Sequence, residues 1–116
     1  MEKEFEDLKR RVVLAELGGY ADGKFCACNG KGASMVTLGT YIIDNDDSVD
    51  YPKDFVFKTG KKNYFSYLKN NISKARESNA AVAVSAVSID IRDCVDFLCA
   101  SQEAGADYAS FCAHQL

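Results

Sequence analysis

Ala80-Ala81-Val82-Ala83-Val84-Ser85-Ala86-Val87-Ser88-Ile89-Asp90-Ile91 is the stretch that decides the fold. From Ala80 to Ser88 the side chains are small or β-branched and uncharged, the mark of a strand buried on both faces, as in parallel sheets. Asp90 follows with a carboxylate suited to the first free amides of a helix. Ile91, Cys94, Val95 and Leu98 then recur at helical spacing as a buried face, and Gly105 ends the helix. A strand that passes directly into such a helix is half of a right-handed βαβ unit.

The same alternation extends in both directions. Tyr64, Leu68, Ile72 and Ala75, with Phe65 beside them, predict a helix over Asn63 to Ser78 whose apolar stripe seeks a sheet. Tyr108 to His114 reads as the last strand, Ser34 to Leu38 as the second and Val12 to Glu16 as the first. Asp22 is placed to cap a short helix reaching Cys28 and closed by Asn29 and Gly30. Glu2 to Arg10 resembles a short amphipathic helix with Phe5 and Leu8 on one side. Gly39 to Asn63 reads as a long irregular stretch, the kind that serves as a lid or binding loop. Its acidic run, Asp44-Asn45-Asp46-Asp47, lacks the glycine and the terminal glutamate of a calcium loop, since Phe55 stands where the glutamate is required. The expectation is one α/β domain over residues 1–116, built of parallel βαβ units.

Composition narrows the function. With 47% hydrophobic and 27% charged residues the chain resembles an ordinary globular domain. A formal net charge of −3 gives no strong attraction for RNA, so nucleic-acid binding is not expected of this chain alone. Lys53, Lys58, Lys61, Lys62 and Lys69, interleaved with Tyr51, Phe55, Phe57 and Tyr64, form a local basic and aromatic set, the pattern of a solvated loop with a hydrophobic underside. Neither a signal peptide nor a membrane span is visible, which predicts a cytoplasmic protein without membrane contact. Cys26, Cys28, Cys94, Cys99 and Cys112 read as reduced, mostly buried thiols, with Cys26-x-Cys28 too tight for the usual zinc hairpin.

Ligand chemistry in α/β proteins gathers where strands exit into loops, and Arg11 to Phe25 has that form. Gly18 to Lys24 fits G-x-x-x-x-G-K, but Phe25 stands where a nucleotide hydrolase holds Mg²⁺ with Ser or Thr. Asp90 imitates the second metal-binding aspartate and serves equally as a helix cap. Glu16, at the end of a buried strand, is either a ligand contact or a partner of Lys24 or Lys31. Cys112 and His114 share one face of the last strand, a pair able to ligate zinc or polarise a carbonyl, although no metal is expected.

Leu14-Ala15-Glu16-Leu17-Gly18-Gly19-Tyr20-Ala21-Asp22-Gly23-Lys24-Phe25 resembles the first strand and loop of FMN-dependent dihydrouridine synthases and dihydroorotate-dehydrogenase-like proteins, which read apolar-Ala-Pro-Met-Ala-Gly-x-Thr-Asp. Ala33 to Gly39 is similar to the second barrel strand, Ala80 to Ser88 to the third, and Gly105 to His114 to the fourth; the chain is similar above all to an archaeal TIM-barrel branch of these relatives. The resemblance implies the (β/α)4 half of a TIM barrel, completed by a second copy or a missing C-terminal half; a self-contained four-stranded α/β sandwich is the alternative. It further implies FMN, a small-molecule substrate and hydride transfer to or from a pyrimidine-like double bond, with tRNA processing among the family's roles. Ala15, Glu16, Leu17, Gly18 and Ser85 would line the flavin edge, while His114 and Cys112 would be the catalytic candidates. The chain departs from the pattern at Glu16-Leu17, which replace Pro-Met, at Ala21 and at Cys112, and no Asn-x-x-Cys-Pro segment follows. A non-catalytic half-barrel subunit, or a module binding a phosphorylated small molecule, is the competing expectation.

Overall fold

The computed structural model describes residues 12–111 apart from 16, 18, 45 and 47. The strands are β1 (Val13–Leu14), β2 (Met35–Ile43), β3 (Val56–Phe57), β4 (Ala81–Ser88) and β5 (Tyr108–Phe111), and the helices are α1 (Gly23–Asn29), α2 (Phe65–Ala75) and α3 (Ile91–Glu103). Every strand pair is parallel, in the order β1-β2-β4-β5, with β3 joined to the far end of β2. The fold is α/β, with a helix in each crossover between neighbouring strands of that order. The crossovers step in one direction across the sheet, so right-handed connections bring all three helices to one face.

That face holds the core. Val36, Leu38, Tyr41 and Ile43 of β2 and Val82, Val84 and Ala86 of β4 pack with Cys26 of α1, Leu68, Ile72 and Ala75 of α2, and Cys94, Phe97 and Ala100 of α3. The helix starts follow the sequence reading. The Asp22 carboxylate accepts the Phe25 amide at 2.8 Å, and that of Asp90 accepts the Arg92 amide at 2.9 Å. At the opposite end of the strands, Asp107 accepts from the Val82 amide (2.9 Å) and from Arg76 (3.1 Å), while Arg76 also reaches the Gly105 carbonyl. One carboxylate thereby ties the start of β4 to the turn that enters β5.

Three expectations need correction. The second strand does not stop at Leu38: it continues to Ile43, and β3 lies inside the stretch read as irregular. The cause is a register shift between Leu38 and Tyr41, centred on Gly39-Thr40. One extra residue is absorbed there, so the core side chains run 36, 38, 41, 43 and the two-residue alternation breaks. Secondly, Ile91 and Val95 of α3 do not join the buried face; they are 60% and 50% exposed. Thirdly, the thiols among the described residues divide evenly, with Cys26 and Cys94 buried and Cys28 and Cys99 exposed. Of the last strand, Tyr108–Phe111 is seen, and the helix read at Glu2 to Arg10 lies outside the described residues.

Candidate functional site on the face away from the helices

Alternation sends every second side chain of the strands to the other face. On β2 these are Thr37 and, past the register shift, Ile42; on β4 they are Ala83, Ser85 and Val87; on β5, Tyr108 and Ser110, whose partners in register are Ala83 and Ser85. Thr37, Ala83 and Ser85 are buried, whereas Ala15 on the β1 side and Ser110 on the β5 side are exposed. The centre of this face is therefore floored by small and hydroxyl-bearing residues, with the bulkier Ile42 and Val87 beyond them toward the strand ends.

The register shift adds one more hydroxyl. Thr40 Oγ1 lies 3.1 Å from Ser85 Oγ, a hydrogen bond between residues 45 apart in sequence. Gly39 makes this approach possible: with φ of +116°, it brings its Cα so near β4 that a Cβ would sit 2.5 Å from the Ser85 carbonyl oxygen. The Thr40 carbonyl accepts the Tyr51 hydroxyl at 3.0 Å, which anchors the loop after β2 to the same spot. Pro52 of that loop packs on Gly19 of the loop after β1 so closely that a Cβ on Gly19 would come 2.6 Å from Pro52 Cγ. A groove of about 560 Å³ opens beside this junction, lined by Val49, Asp50, Tyr51, Lys53 and Val56.

Asp44, at the end of β2, shapes the start of the loop. Its carboxylate accepts the amides of Asp46 (2.9 Å), Ser48 (2.9 Å) and Val49 (3.0 Å). These hydrogen bonds to the charged form, led by that from Asp46, hold the carboxyl below its ordinary range. The acidic run thus serves a turn. Among the described residues no group of three His, Cys, Asp or Glu is arranged to hold a metal ion.

Of the residues read from sequence, Ala15 and Leu17 lie exposed at the exit of β1, and Ser85 is buried at the middle of β4 against Thr40. Glu16, Gly18, Cys112 and His114 lie outside the described residues. In the glycine-rich stretch the amides on either side of Lys24 are engaged within the protein. The Gly23 amide donates to Asn71 (2.8 Å), the Phe25 amide donates to Asp22, and Lys24 lines a separate groove of about 490 Å³ with Ala27, Cys28, Lys31, Lys74 and Glu77. The basic and aromatic set also separates. Phe55 and Tyr64 are buried, and Tyr41 stacks on Phe55 with ring centres 5.1 Å apart. Lys61 pairs with Glu103 and lies 4.6 Å over Phe65. Burial pushes the Cys26 thiol up to about 11, with Asp22 adding to the shift, and its Sγ faces the Thr37 carbonyl at 3.8 Å. This is a structural thiol. Thr40 is the residue that sequence reasoning missed; Leu38-Gly39-Thr40-Tyr41, a glycine and a hydroxyl interrupting an apolar run, is the signal that marks it.

An uncharacterized protein of Methanocaldococcus jannaschii, MJ0144, is 37% identical to the chain over 104 residues, which covers 83% of this chain and 39% of the relative. The chain thus spans about two-fifths of the length of the relative it matches. No family model and no solved structure matches it. No helix among the described residues is long and apolar enough to cross a membrane.

Proposed function

We propose that this chain supplies one wall of a flavin site in a (β/α)8 barrel, as the first four units of an FMN-dependent oxidoreductase acting on a pyrimidine-like double bond. The observation that carries this reading is the chemistry of the face turned away from the described helices. Barrel interiors are ordinarily filled by layers of Val, Ile and Leu. Here Thr37, Ala83, Ser85 and Ser110 take such positions at mid-height, and Thr40 adds its hydroxyl. Small side chains suit a surface against which a flat ring can lie, and hydroxyls can give or accept hydrogen bonds at its polar edge.

These residues fit the edge of an isoalloxazine in their chemistry, with Ala15, Leu17, Thr40 and Ser85 as the described residues that would meet it. They do not fit the flavin's phosphate, because the Gly23 and Phe25 amides are already taken and Asp22 brings a carboxylate to that loop. In barrels phosphate is commonly held on loops after later strands, consistent with a division of labour between this segment and further units. When bound, FMN would supply the hydride chemistry. The residues here would hold its ring, exclude water and fix its face toward the substrate. The length of the M. jannaschii relative, about two and a half times the matched part, suits a complete barrel of about 250 residues.

Flavin absorbance and fluorescence of the natively purified protein test the proposal. Retained flavin that is lost on Thr40→Val together with Ser85→Ala is the expected result. A correctly folded, complete barrel that stays colourless and takes up no added FMN removes it, leaving a non-catalytic β/α subunit.

A further inference from the structure

The seam between α1 and α2 lies on the helix side of the sheet, away from the hydroxyl-bearing face. The Gly23 amide at the start of α1 donates to the Asn71 side-chain oxygen at 2.8 Å, and Asn71 Nδ2 donates to the Tyr67 carbonyl at 3.0 Å, which clasps the two helices together. Along the same seam runs the groove of about 490 Å³, with the largely buried Ala27 as its apolar part. That volume lies in the range of small-molecule sites. Around it stand Lys24 and Cys28 of α1, Lys31 of the turn that follows, Lys74 near the end of α2 and Glu77 just after it. Three ammonium groups thus oppose one carboxylate, in a chain whose formal net charge is −3. Glu77 is held by Lys74 at 3.1 Å, an exposed pair of the kind that contributes little and is easily exchanged. Among the described residues Lys24 and Lys31 form no ion pair, so the groove favours an anion.

The groove also holds a nucleophile. Cys28 is exposed and lies one turn beyond Lys24, so the thiol and an ammonium group share one side of α1. Cys26 is buried and, by helical spacing, turned about 200° from Cys28, so it is not placed to pair with it. A thiol without a partner on its own helix, set among cations, suits an anionic disulfide from outside. We propose that this groove captures small carboxylate-bearing disulfides on Lys24, Lys31 and Lys74, and that Cys28 forms a mixed disulfide with them. In the exchange the Cys28 thiol gives its proton to water and its sulfur attacks one sulfur of the incoming disulfide. The new S–S bond forms as the old one breaks, and the other half leaves as a thiolate; Cys28 is oxidised and the departing half is reduced by the same electron pair. The lysines act on the carboxylates of the incoming and attached groups. This inference is independent of the flavin reading, because the groove and the Thr40–Ser85 pair lie on opposite sides of the sheet.

Dithiodipropionate, a dianion, and cystamine, a dication of nearly the same shape, test this on the native chain, with mixed disulfides at each cysteine followed by mass spectrometry. Cys99 is the internal reference: it is also exposed, but Asp96 and Glu103 flank it at helical spacing on α3, the latter paired with Lys61. At low ionic strength the rate at Cys28 relative to Cys99 should be about tenfold greater with the dianion than with the dication, and in about 1 M salt the two reagents should converge. Lys24→Gln, Lys31→Gln and Lys74→Gln together should abolish the preference while the uncharged bis(2-hydroxyethyl) disulfide keeps its rate at Cys28. Lys53→Gln, outside this groove, should change neither. Equal ratios for the two charged reagents, or a Cys28 that reacts with neither, overturn the proposal. So does a preference that survives high salt or the three substitutions. If the uncharged reagent slows in the triple variant as much as the dianion does, the lysines act on the thiol alone, and selection of an anionic ligand is equally overturned.

Discussion

On the face of the sheet that meets the helices, β2 and β4 present Val36, Leu38, Tyr41, Ile43, Val82, Val84 and Ala86; on the other face the same strands present Thr37, Thr40, Ala83 and Ser85. Adjacent residues of one strand thus serve opposite purposes. The first face supplies the cohesion of the fold, and the centre of the second, between Ile42 and Val87 and the strand starts, is small and hydroxyl-bearing. Stability and ligand chemistry should therefore respond to different substitutions. The largest separation is expected at Phe97, which is fully buried and touches the rings of Tyr41, Phe57 and Tyr64. Phe97→Ala should cost about 3–5 kcal/mol of stability, read from denaturant midpoints. A loss below about 1 kcal/mol would mean that the helix face is not the cohesive one.

Gly39 stands where the two faces exchange roles, and its substitution should have the next largest effect. Gly39→Ala places a Cβ 2.5 Å from the Ser85 carbonyl at a φ of +116°, and should cost about 1–3 kcal/mol while pushing Thr40 from Ser85. Gly32 provides the control, since its φ is +88° but a Cβ there would meet nothing within 4 Å. Gly32→Ala should show only the backbone penalty, about 1 kcal/mol. Equal losses at the two glycines would show that the close approach of β2 to β4 carries no energy.

The helix face was largely legible in the sequence because it is a matter of local period. Ala80 to Ser88, the Asp90 cap and the stripe of Leu68, Ile72 and Ala75 each announce themselves within a dozen residues. The continuation of β2 was not legible, since Gly39-Thr40 breaks the alternation on which a strand is recognised. The burial of Ile91 and Val95 was misread for a related reason. Period reports how wide an apolar arc is, and only the neighbours decide how much of it is covered. Ser85 could be singled out through a family resemblance, but Thr40 could not, because what gives it meaning is a contact 45 residues away.

A smaller effect is expected from acid, and it should fall on the loop rather than on either face. The Asp44 carboxyl is held below its ordinary value by the amides it accepts, so its folded value lies below its unfolded value of about 3.9. Its contribution is complete above about pH 4 and is lost as pH falls through the lower, folded value. Stability followed from pH 6 downward should decline through that acid window in the native chain. In Asp44→Asn the decline should be shallower, with a lower plateau at neutral pH. An unchanged acid limb would transfer the effect to other carboxylates, among them Asp90, which Arg92 holds low in the same direction.

The smallest effect on stability is expected where the effect on function should be greatest. Ser85 and Thr40 satisfy one another through a single hydroxyl contact. Removing the Thr40 hydroxyl leaves the buried Ser85 short of a hydrogen bond, a loss of about 1–3 kcal/mol at most, whereas removing both with shape retained is nearly neutral. Thr40→Val alone should therefore destabilise more than Thr40→Val combined with Ser85→Ala, a non-additive pattern that a double-mutant cycle measures directly. The flavin reading requires the opposite ranking for binding. The double variant should lose the most affinity, about tenfold or more for FMN in a complete barrel, because it strips both polar contacts from the ring edge. If binding instead follows stability, with the single variant weaker than the double, the hydroxyl pair is a packing device and the ligand is held elsewhere.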